Sequence, residues 1–329
     1  MAQNFDVLGI GNAIVDILIQ VDDEFLKSKN LVKGSMQLVS ADDAAILYAG
    51  LGQCIECSGG SAANTVAGLA SMGASTSFIG KVHDDQLGQV FTHDINTMGT
   101  SFTTPPSING PATAHCIVFV TPDAERTMCT YLGACVNLTE EDIDEKIVRS
   151  SKISYLEGYL WDPEPAKAAF RKAIHIAHDE GNKVALSLSD PFCVERHHEE
   201  FLKLVKDGVD ILFANQDEIK MLYGSDNLQD TARLAQQDCD IVAITCGAGG
   251  CIVINKDEIT SIQGINVTNL IDTTGAGDLF AAGFLYGLLS KKPISECGAL
   301  GNLVASEIIT HLGARPAINL KDFVKKIVN

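Results

Sequence analysis

The stretch "IDTTGAGDLFAAGFLYGLL" places small and polar residues, Asp272 to Asp278, before an apolar run that predicts a buried helix starting near residue 274. The first turn of a helix has amides without intrahelical acceptors and a partial positive charge. An anion could approach this backbone closely at Gly275, Ala276 and Gly277. The Asp278 carboxylate can then be a general base for a hydroxyl. The structural alternative is that Asp278 stabilises the helix start and the glycines permit packing.

A second carboxylate follows the first predicted strand, in "GIGNAIVD". Asp16 is placed to accept hydrogen bonds from two adjacent hydroxyls of a sugar, and Asn12 lies near it. The alternatives are a turn carboxylate or a dinucleotide-binding glycine motif. The glycine motif fails because its third glycine position holds Ile14.

Two further segments combine glycine or asparagine with a predicted helix start. In "SGGSAANT", Gly59 and Gly60 allow the backbone to pass beside a ligand, and the Asn64 amide can donate to and accept from hydroxyls. Close helix–sheet packing by small residues is the alternative there. In "FANQDE", Asn215 and Glu218 have the spacing of a helix capping box, which is compatible with a role in ligand binding.

The charge balance limits the partners of the protein. Its formal net charge is −18 and its sequence pI is about 4.7, so we expect neither nucleic acid nor a membrane surface as a partner. Arg126 is the first of only six arginines. As a lone cation on a predicted hairpin it could swing over an anionic ligand, or it could pair with a surface carboxylate.

Composition also indicates the compartment. The ten cysteines are scattered and contain one CxxC, Cys54–Cys57, which lacks the second pair that a zinc site needs. We therefore expect reduced thiols and a cytoplasmic protein. The start of the chain lacks the basic segment of a signal peptide, and no apolar run approaches the roughly 18–20 residues of a membrane span.

Strand, turn and helix patterns alternate along most of the chain, which predicts a single α/β domain over 1–329 with a mostly parallel sheet covered on both faces. Residues 17–41 and 103–135 break this rhythm, and they predict short strands with turns and no crossover helix. "AHCIVFVTPDAERTMCTYL" predicts a hairpin around "TPDAE". We expect these segments to leave the main sheet and form a small β lid.

"DTTGAGDLFAAGF" closely resembles the C-terminal signature of the PfkB (ribokinase-like) carbohydrate and nucleoside kinases. "GIGNAIVD", "SGGSAANTVAGLASMG", "FANQDE" and "ITCGAGGCIV" resemble the other family motifs in family order. The resemblance implies a ribokinase-like three-layer fold with a lid over the substrate. It also implies ATP with Mg²⁺, and a monovalent cation such as K⁺ near the 272–278 loop in some relatives. No GxxxxGK[ST] is present, so a P-loop enzyme is excluded.

The same resemblance assigns roles to matching positions. Gly59, Gly60 and Asn64 would line the sugar site, and Asn215 with Glu218 would organise Mg²⁺ through water. The nucleotide would contact the residues Thr245, Gly247, Ala248 and Gly249 in "TCGAGG", and Asn302 would border the adenine pocket.

Details of two motifs are similar to the adenosine kinases of the family. "GNAIVDI" carries their asparagine, and "LSLSDPF" resembles their stretch that packs a phenylalanine, here Phe192, on the purine. Tyr159, Met128 and Thr130 would supply further walls. Asp190 departs from the small residue expected there. Phosphorylation of the adenosine 5′-hydroxyl is therefore the expected reaction.

Three alternatives remain open. The first is a free-sugar kinase of the same family, and the second is a non-catalytic purine sensor. The third is a nicotinamide-dependent oxidoreductase, which the missing glycine motif disfavours. The expected assembly is a monomer or a homodimer formed through the lid.

Overall fold

The computed structural model describes residues 4–123, 125–256 and 258–328, with side chains up to residue 325. Within these residues, fourteen strands form two sheets. In chain order the strands are β1 (Phe5–Ile10), β2 (Ile14–Gln20), β3 (Met36–Leu38), β4 (Ile55–Gly59), β5 (Thr76–Ile79), β6 (Thr100–Phe102), β7 (Ala114–Val120), β8 (Arg126–Tyr131), β9 (Ser151–Glu157), β10 (Lys183–Ser187), β11 (Ile211–Asn215), β12 (Ile241–Thr245), β13 (Cys251–Asn255) and β14 (Ile259–Ile262).

The same residues form thirteen α-helices and several short 3₁₀ turns. The helices are α1 (Asp23–Ser28), α2 (Ala41–Ala49), α3 (Ser61–Met72), α4 (Gln86–Thr97), α5 (Glu145–Arg149), α6 (Glu164–Asp179), α7 (Pro191–Arg196), α8 (His198–Gly208), α9 (Gln216–Tyr223), α10 (Leu228–Asp238), α11 (Ala276–Leu289), α12 (Ile294–Ile308) and α13 (Leu320–Val328).

The main sheet has nine strands in the order β14-β13-β12-β11-β10-β9-β1-β5-β6. The seven strands from β12 to β6 run parallel to one another. Strand β13 pairs antiparallel with β12, and β14 pairs antiparallel with β13. Successive residues of strand β1 enter opposite cores, with Val7 in one and Leu8 in the other. Helices α3, α4, α11, α12 and α13 cover the first face, and α5, α6, α8, α9 and α10 cover the second. The predicted three-layer α/β architecture is confirmed.

Helix α11 explains the apolar run that follows Asp278. It lies between α3, α12 and the sheet, and eight of its residues are buried. Because both sides are covered, its sequence is apolar all round rather than amphipathic. A Cβ at Gly283 would press against the backbone of Leu300 on α12, so glycine permits this close packing. The helix begins at Ala276 with Gly275 as its N-cap, slightly later than the predicted start near residue 274.

The second sheet has five strands in the order β3-β8-β7-β2-β4. Strands β7 and β8 form the predicted antiparallel hairpin. Two details differ from the predicted lid of residues 17–41 and 103–135. The sheet starts at Ile14 and recruits Ile55–Gly59, because β4 pairs antiparallel with β2. Residues 17–41 also contain a helix, α1, because the Asp22 side chain accepts from the Phe25 amide and caps it.

The strands at both edges of this second sheet expose apolar side chains. Met36 and Leu38 on β3 and Ile55 on β4 are exposed, the last two by 60% and 62%. Among the described residues, no helix is long and apolar enough to cross a membrane.

Candidate active site

Asp278 lies in the first turn of α11, and its carboxylate faces helix α3. Ser61 Oγ donates to its Oδ1 at 2.6 Å, and Asn64 Nδ2 donates to its Oδ2 at 2.8 Å. Burial raises the pKa of Asp278, while these two hydrogen bonds and the charge of Arg315 oppose that rise. A carboxylate whose pKa is raised is a stronger base than a free carboxylate, so Asp278, held by two donors, is suited to accept a proton.

The amides at the start of α11 are only partly available to an anion. The Thr274 amide donates to Asp272 Oδ1 at 2.8 Å, and the Ala276 amide donates to the Thr273 carbonyl at 3.2 Å. The amides of Gly275, Gly277 and Asp278 have no acceptor within the described part of the chain. Two amides of the predicted anion hole are therefore already paired, one with the Asp272 side chain and one within a local turn.

Gly275 shapes this turn. Its φ of 75° lies in the left-handed region, and an added Cβ would overlap Ala314. Arg126, on β8 of the second sheet, reaches the same turn. Its Nε lies 3.1 Å from Asp272 Oδ1 and its Nη2 donates to Thr273 Oγ1 at 3.2 Å. Arg126 thus pairs with the buried carboxylate of Asp272, in the loop that precedes α11, and not with a surface carboxylate.

Asp16 approaches this centre from the second sheet. In the register of that sheet it lies opposite Cys116 on β7, and Cys116 lies opposite Thr130 on β8. Directly opposed residues share one face of a sheet, so Thr130 and Asp16 face the same side, together with Met128 two residues earlier. Thr130 Oγ1 also contacts Cys116 Sγ at 3.2 Å.

Burial and neighbouring charges both act on Asp16. Burial raises the pKa of Asp16 to about 7, against the charge of Arg315, and the negative charges of Asp278 and Asp272 raise it further. One short segment of the chain contacts both carboxylates, because an added Cβ at Gly59 would overlap the Asp16 carboxylate and Ser61 and Asn64 donate to Asp278.

The glycines of "SGGSAANT" are required by close approaches. An added Cβ at Gly59 would overlap the Asp16 carboxylate, and one at Gly60 would overlap the Asn12 carbonyl oxygen. Gly60 also has a φ of 94°. The backbone therefore passes directly beside Asp16 between strand β4 and helix α3.

Asn12 and Asn64 are almost fully buried, at 2% and 4% exposure. Asn12 Nδ2 donates to Glu157 Oε1 at 2.7 Å, and the Ala62 amide donates to Glu157 Oε2 at 2.8 Å. Asn64 Oδ1 has no partner among the described residues. A buried acceptor without a donor is costly in the free protein, so this oxygen is available to a ligand hydroxyl.

Two site residues are not indicated by the sequence motifs. Glu157 ends the buried strand β9 and joins Asn12 to the first turn of α3, and burial raises its pKa to about 7. Arg315 binds the Ser58 and Ala63 carbonyl oxygens at 2.8 and 2.7 Å. A charged residue at the end of an apolar strand and a rare arginine are the signals that could have found them.

Tyr159 and Phe192, the predicted aromatic wall of the purine site, lie in the segments that follow β9 and β10. Tyr159 and Phe192 are 38% and 69% exposed, so both residues keep accessible surface. Asp190 is the N-cap of α7, where its Oδ1 accepts from the amides of Phe192 and Cys193 at 2.6 and 3.3 Å. Burial, followed by the charge of Asp190, raises the pKa of Tyr159 well above its usual value, and Asp278 contributes to the rise. Asp190 therefore orients the helix that carries Phe192.

Most of the residues predicted to bind the nucleotide lie at the carboxyl ends of β11 and β12 and in the segments that follow these strands. Asn215 and Glu218 form a full capping box, in which Glu218 Oε2 accepts from the Asn215 amide at 2.8 Å. Burial raises the pKa of Glu218 to about 7. Thr245 pairs with Asn215 in the sheet and leads into the 3₁₀ turn Gly247–Gly249, which contains Ala248.

Asn302 lies behind that loop. It is 8% exposed on α12, and its Nδ2 donates to the Gln263 carbonyl at 3.1 Å. Thr245, the Gly247–Gly249 turn and Asn302 thus surround the carboxyl ends of β11 and β12. In open α/β sheets, ligands bind at these strand ends.

The family model described as pfkB family carbohydrate kinase matches residues 52–320. The chain belongs to this kinase family. It is 47% identical to the crystal structure of an adenosine kinase from Sinorhizobium meliloti, with a TM-score of 0.92 and coverage of 98% of this chain and 99% of that one.

Other proteins that are similar to this chain are named as sugar kinases. A probable sugar kinase from Rhizobium etli is 44% identical, with a TM-score of 0.92 and coverage of 98% of each chain. An uncharacterized sugar kinase from Archaeoglobus fulgidus is 30% identical over 251 residues, which are 76% of this chain and 98% of that one. The chain is thus a sugar or nucleoside kinase. The names of these proteins differ in the substrate, since one is named as an adenosine kinase and two as sugar kinases.

Proposed function

We propose that this kinase transfers the γ-phosphoryl group of ATP to the 5′-hydroxyl of adenosine, giving AMP and ADP, a reaction of purine salvage. The observation that carries the chemistry is the position of Asp278, which is held at the start of α11 by Ser61 and Asn64, in the same segment whose Gly59 lies against the Asp16 carboxylate. The similarity to the Sinorhizobium meliloti adenosine kinase supports the choice of acceptor.

The ribose would bind between the two sheets. Asp16 accepts hydrogen bonds from its vicinal hydroxyls, and the unpartnered Asn64 Oδ1 accepts another. The Gly59–Gly60 backbone passes directly beside the Asp16 carboxylate. The acceptor hydroxyl would then lie near Asp278 at the start of α11.

In the transfer step, the 5′ oxygen forms a bond to the γ-phosphorus as the bond from phosphorus to the β,γ-bridging oxygen breaks. Asp278 accepts the proton of the hydroxyl. The free amides of Gly275 and Gly277 stabilise the charge on the transferring group, and Arg126 adds a positive charge from the lid.

The acidic residues fit a magnesium ion held mainly by phosphate and water. Among the described residues, no group of three or more His, Cys, Asp or Glu side chains is arranged to hold a metal directly. Both oxygens of Glu218 already accept from Asn215, at 2.8 and 2.6 Å, so its remaining lone pairs can reach a hydrated ion. When bound with ATP, Mg²⁺ would neutralise phosphate charge. The phosphates and ribose of ATP would contact Thr245 and the Gly247–Gly249 turn, with adenine toward Asn302.

The purine of adenosine would lie against the accessible surfaces of Tyr159 and Phe192, with Met128 and Thr130 on the lid side. A free-sugar kinase is the second candidate, because the relatives from Rhizobium etli and Archaeoglobus fulgidus have sugar-kinase names.

An acceptor panel separates these functions. Adenosine, inosine, ribose and fructose are each supplied with ATP and Mg²⁺, and ADP release is measured. We expect the highest kcat/KM for adenosine. Strong turnover of fructose with none of adenosine would end the nucleoside proposal and leave the kinase chemistry intact. Tight adenosine binding without ADP release from any acceptor would indicate a purine sensor.

The proposal also includes the compartment and the assembly of the enzyme. All ten cysteines are free thiols, which supports a reducing compartment such as the cytoplasm. The exposed apolar side chains at both edges of the second sheet favour a homodimer through the lid over a monomer. A K⁺ requirement remains a prediction from the family resemblance.

A further inference from the structure

Arg315 lies on the loop between α12 and α13, more than two hundred residues from the segment that it holds. That segment, residues 58–64, joins β4 to the first turn of α3, and we name it the glycine segment. Arg315 Nε donates to the Ser58 carbonyl at 2.8 Å, Nη2 donates to Ser58 Oγ at 2.8 Å, and Nη1 donates to the Ala63 carbonyl at 2.7 Å. One guanidinium therefore holds both ends of the glycine segment.

Residues inside the glycine segment touch both reactive carboxylates. Gly59 lies against the Asp16 carboxylate, and Ser61 and Asn64 donate to Asp278. A displacement of this segment would move the sugar-binding carboxylate and the proton acceptor relative to each other. Displacements of about 1 Å in such a centre cost on the order of 10² in rate.

Arg315 also supplies charge to a crowded acidic site. The titratable groups that act on it come from four elements: the Cys57 thiol on β4, Asp94 on α4, Asp16 on β2 and Asp278 on α11. Asp94 belongs to the same network, because its Oδ2 accepts from the Ser58 amide and hydroxyl at 2.7 and 2.6 Å. Arg126 is the other cation that acts on Asp16, and Asp272 is a further anion. Arginine stays protonated in such surroundings.

We propose that Arg315 is a positioning residue for phosphoryl transfer, which fixes the glycine segment by three hydrogen bonds and supplies a positive charge to Asp16 and Asp278. The inference rests on the role proposed above for Asp278. It does not depend on whether the acceptor is adenosine or a free sugar, because the glycine segment contacts both carboxylates in either case.

Two variants separate geometry from charge. Arg315→Lys keeps the charge but cannot make three hydrogen bonds in the same fork, and Arg315→Gln removes the charge as well. We expect Arg315→Lys to lower kcat at least ~10-fold with its acidic pH limb unmoved. We expect Arg315→Gln to lower kcat further and to move that limb to higher pH by about one unit, since loss of a cation raises the pKa of a neighbouring carboxyl. Each is measured with the acceptor of the panel that turns over fastest.

Arg149→Gln is the matched control, because Arg149 is an exposed arginine that pairs with Glu180 at 3.1 Å on the outer surface. It should leave kcat and the pH profile unchanged. Wild-type kcat and KM in Arg315→Lys would overturn the positioning role, even if Arg315→Gln does not fold. An unmoved acidic limb in a folded Arg315→Gln would overturn the electrostatic part.

Amide hydrogen exchange provides a readout that needs no acceptor. Peptides covering residues 58–64 should lose protection in both Arg315 variants, whereas peptides from α6 should not. Unchanged protection of the glycine segment would contradict the proposal, even if no compound of the panel were phosphorylated and the proposed function had failed.

Discussion

Individual residues of the site are shaped by contacts that a motif cannot show. Asp278 follows from local spacing, since it lies in the first turn of a helix, whereas Asp16 lies inside strand β2 and not directly after β1. Glu157 and Arg315 contact Asn12 and Ser58 across 145 and 257 residues of sequence. Their roles arise only when the chain is folded, so no pattern near either residue could predict its partners.

Gly59→Ala tests the approach of the backbone to Asp16. The new Cβ would overlap the Asp16 carboxylate and displace it from the sugar hydroxyls. We expect kcat/KM for the acceptor to fall at least ~10², with the KM for ATP changed less than about twofold. Gly52→Ala is the control, because a Cβ there meets no atom within 4 Å. Wild-type kcat/KM in Gly59→Ala would remove Asp16 from acceptor binding.

The secondary-structure elements bring the two halves of the site together. Strands β2 and β8 carry Asp16 and Arg126 on one face of the second sheet, and α11 with α3 carries Asp278 and its donors. The period of the apolar residues predicted most of the main sheet. It did not predict β4, because the apolar pattern of "CIECSGG" is short and its pairing with β2 is a tertiary contact.

Asn215→Ala tests whether the capping box at α9 also serves the nucleotide. Loss of the cap should lower the free energy of unfolding by about 1 kcal/mol. It should also raise the KM for MgATP at least ~10-fold, because Glu218 loses the amide that orients it. Thermal unfolding and initial rates measure the two effects.

The matched control is Asn227→Ala. Asn227 caps α10 through the Gln229 amide at 2.9 Å and contacts none of the site residues named above. It should lose a similar free energy of unfolding with no change in the KM for MgATP. An equal KM in the two variants would reduce the role of Asn215 to helix capping alone.

At the scale of the whole molecule, the acidic site costs stability at neutral pH. Burial raises the pKa values of Asp16, Glu157 and Glu218 to about 7. Between about pH 4 and pH 7 the folded protein therefore binds more protons at these groups than the unfolded chain does. Their stabilising contribution is fully present below about pH 4 and is lost as the pH rises through 7.

Asp16→Asn should remove part of this dependence. From about pH 5 to pH 8, the Tm of the wild type should fall at least about 2 °C more than that of the variant. Asp123→Asn is the control, since hydrogen bonds from Lys33 and Thr121 lower the pKa of Asp123 to about 2, outside this range. Differential scanning calorimetry checks the prediction. Parallel Tm curves for wild type and Asp16→Asn would contradict the burial of a titrating carboxyl at this position.

The central claim is that Asp278 accepts the proton of a hydroxyl while amides at the start of α11 stabilise the phosphoryl group. The most direct test is Asp278→Asn, with kcat measured by ADP release and acceptor affinity measured by calorimetry. The amide side chain keeps the size of the carboxylate but cannot accept the proton. The account predicts a kcat lower by at least ~10² with acceptor Kd within about tenfold of wild type. An unchanged kcat would contradict it.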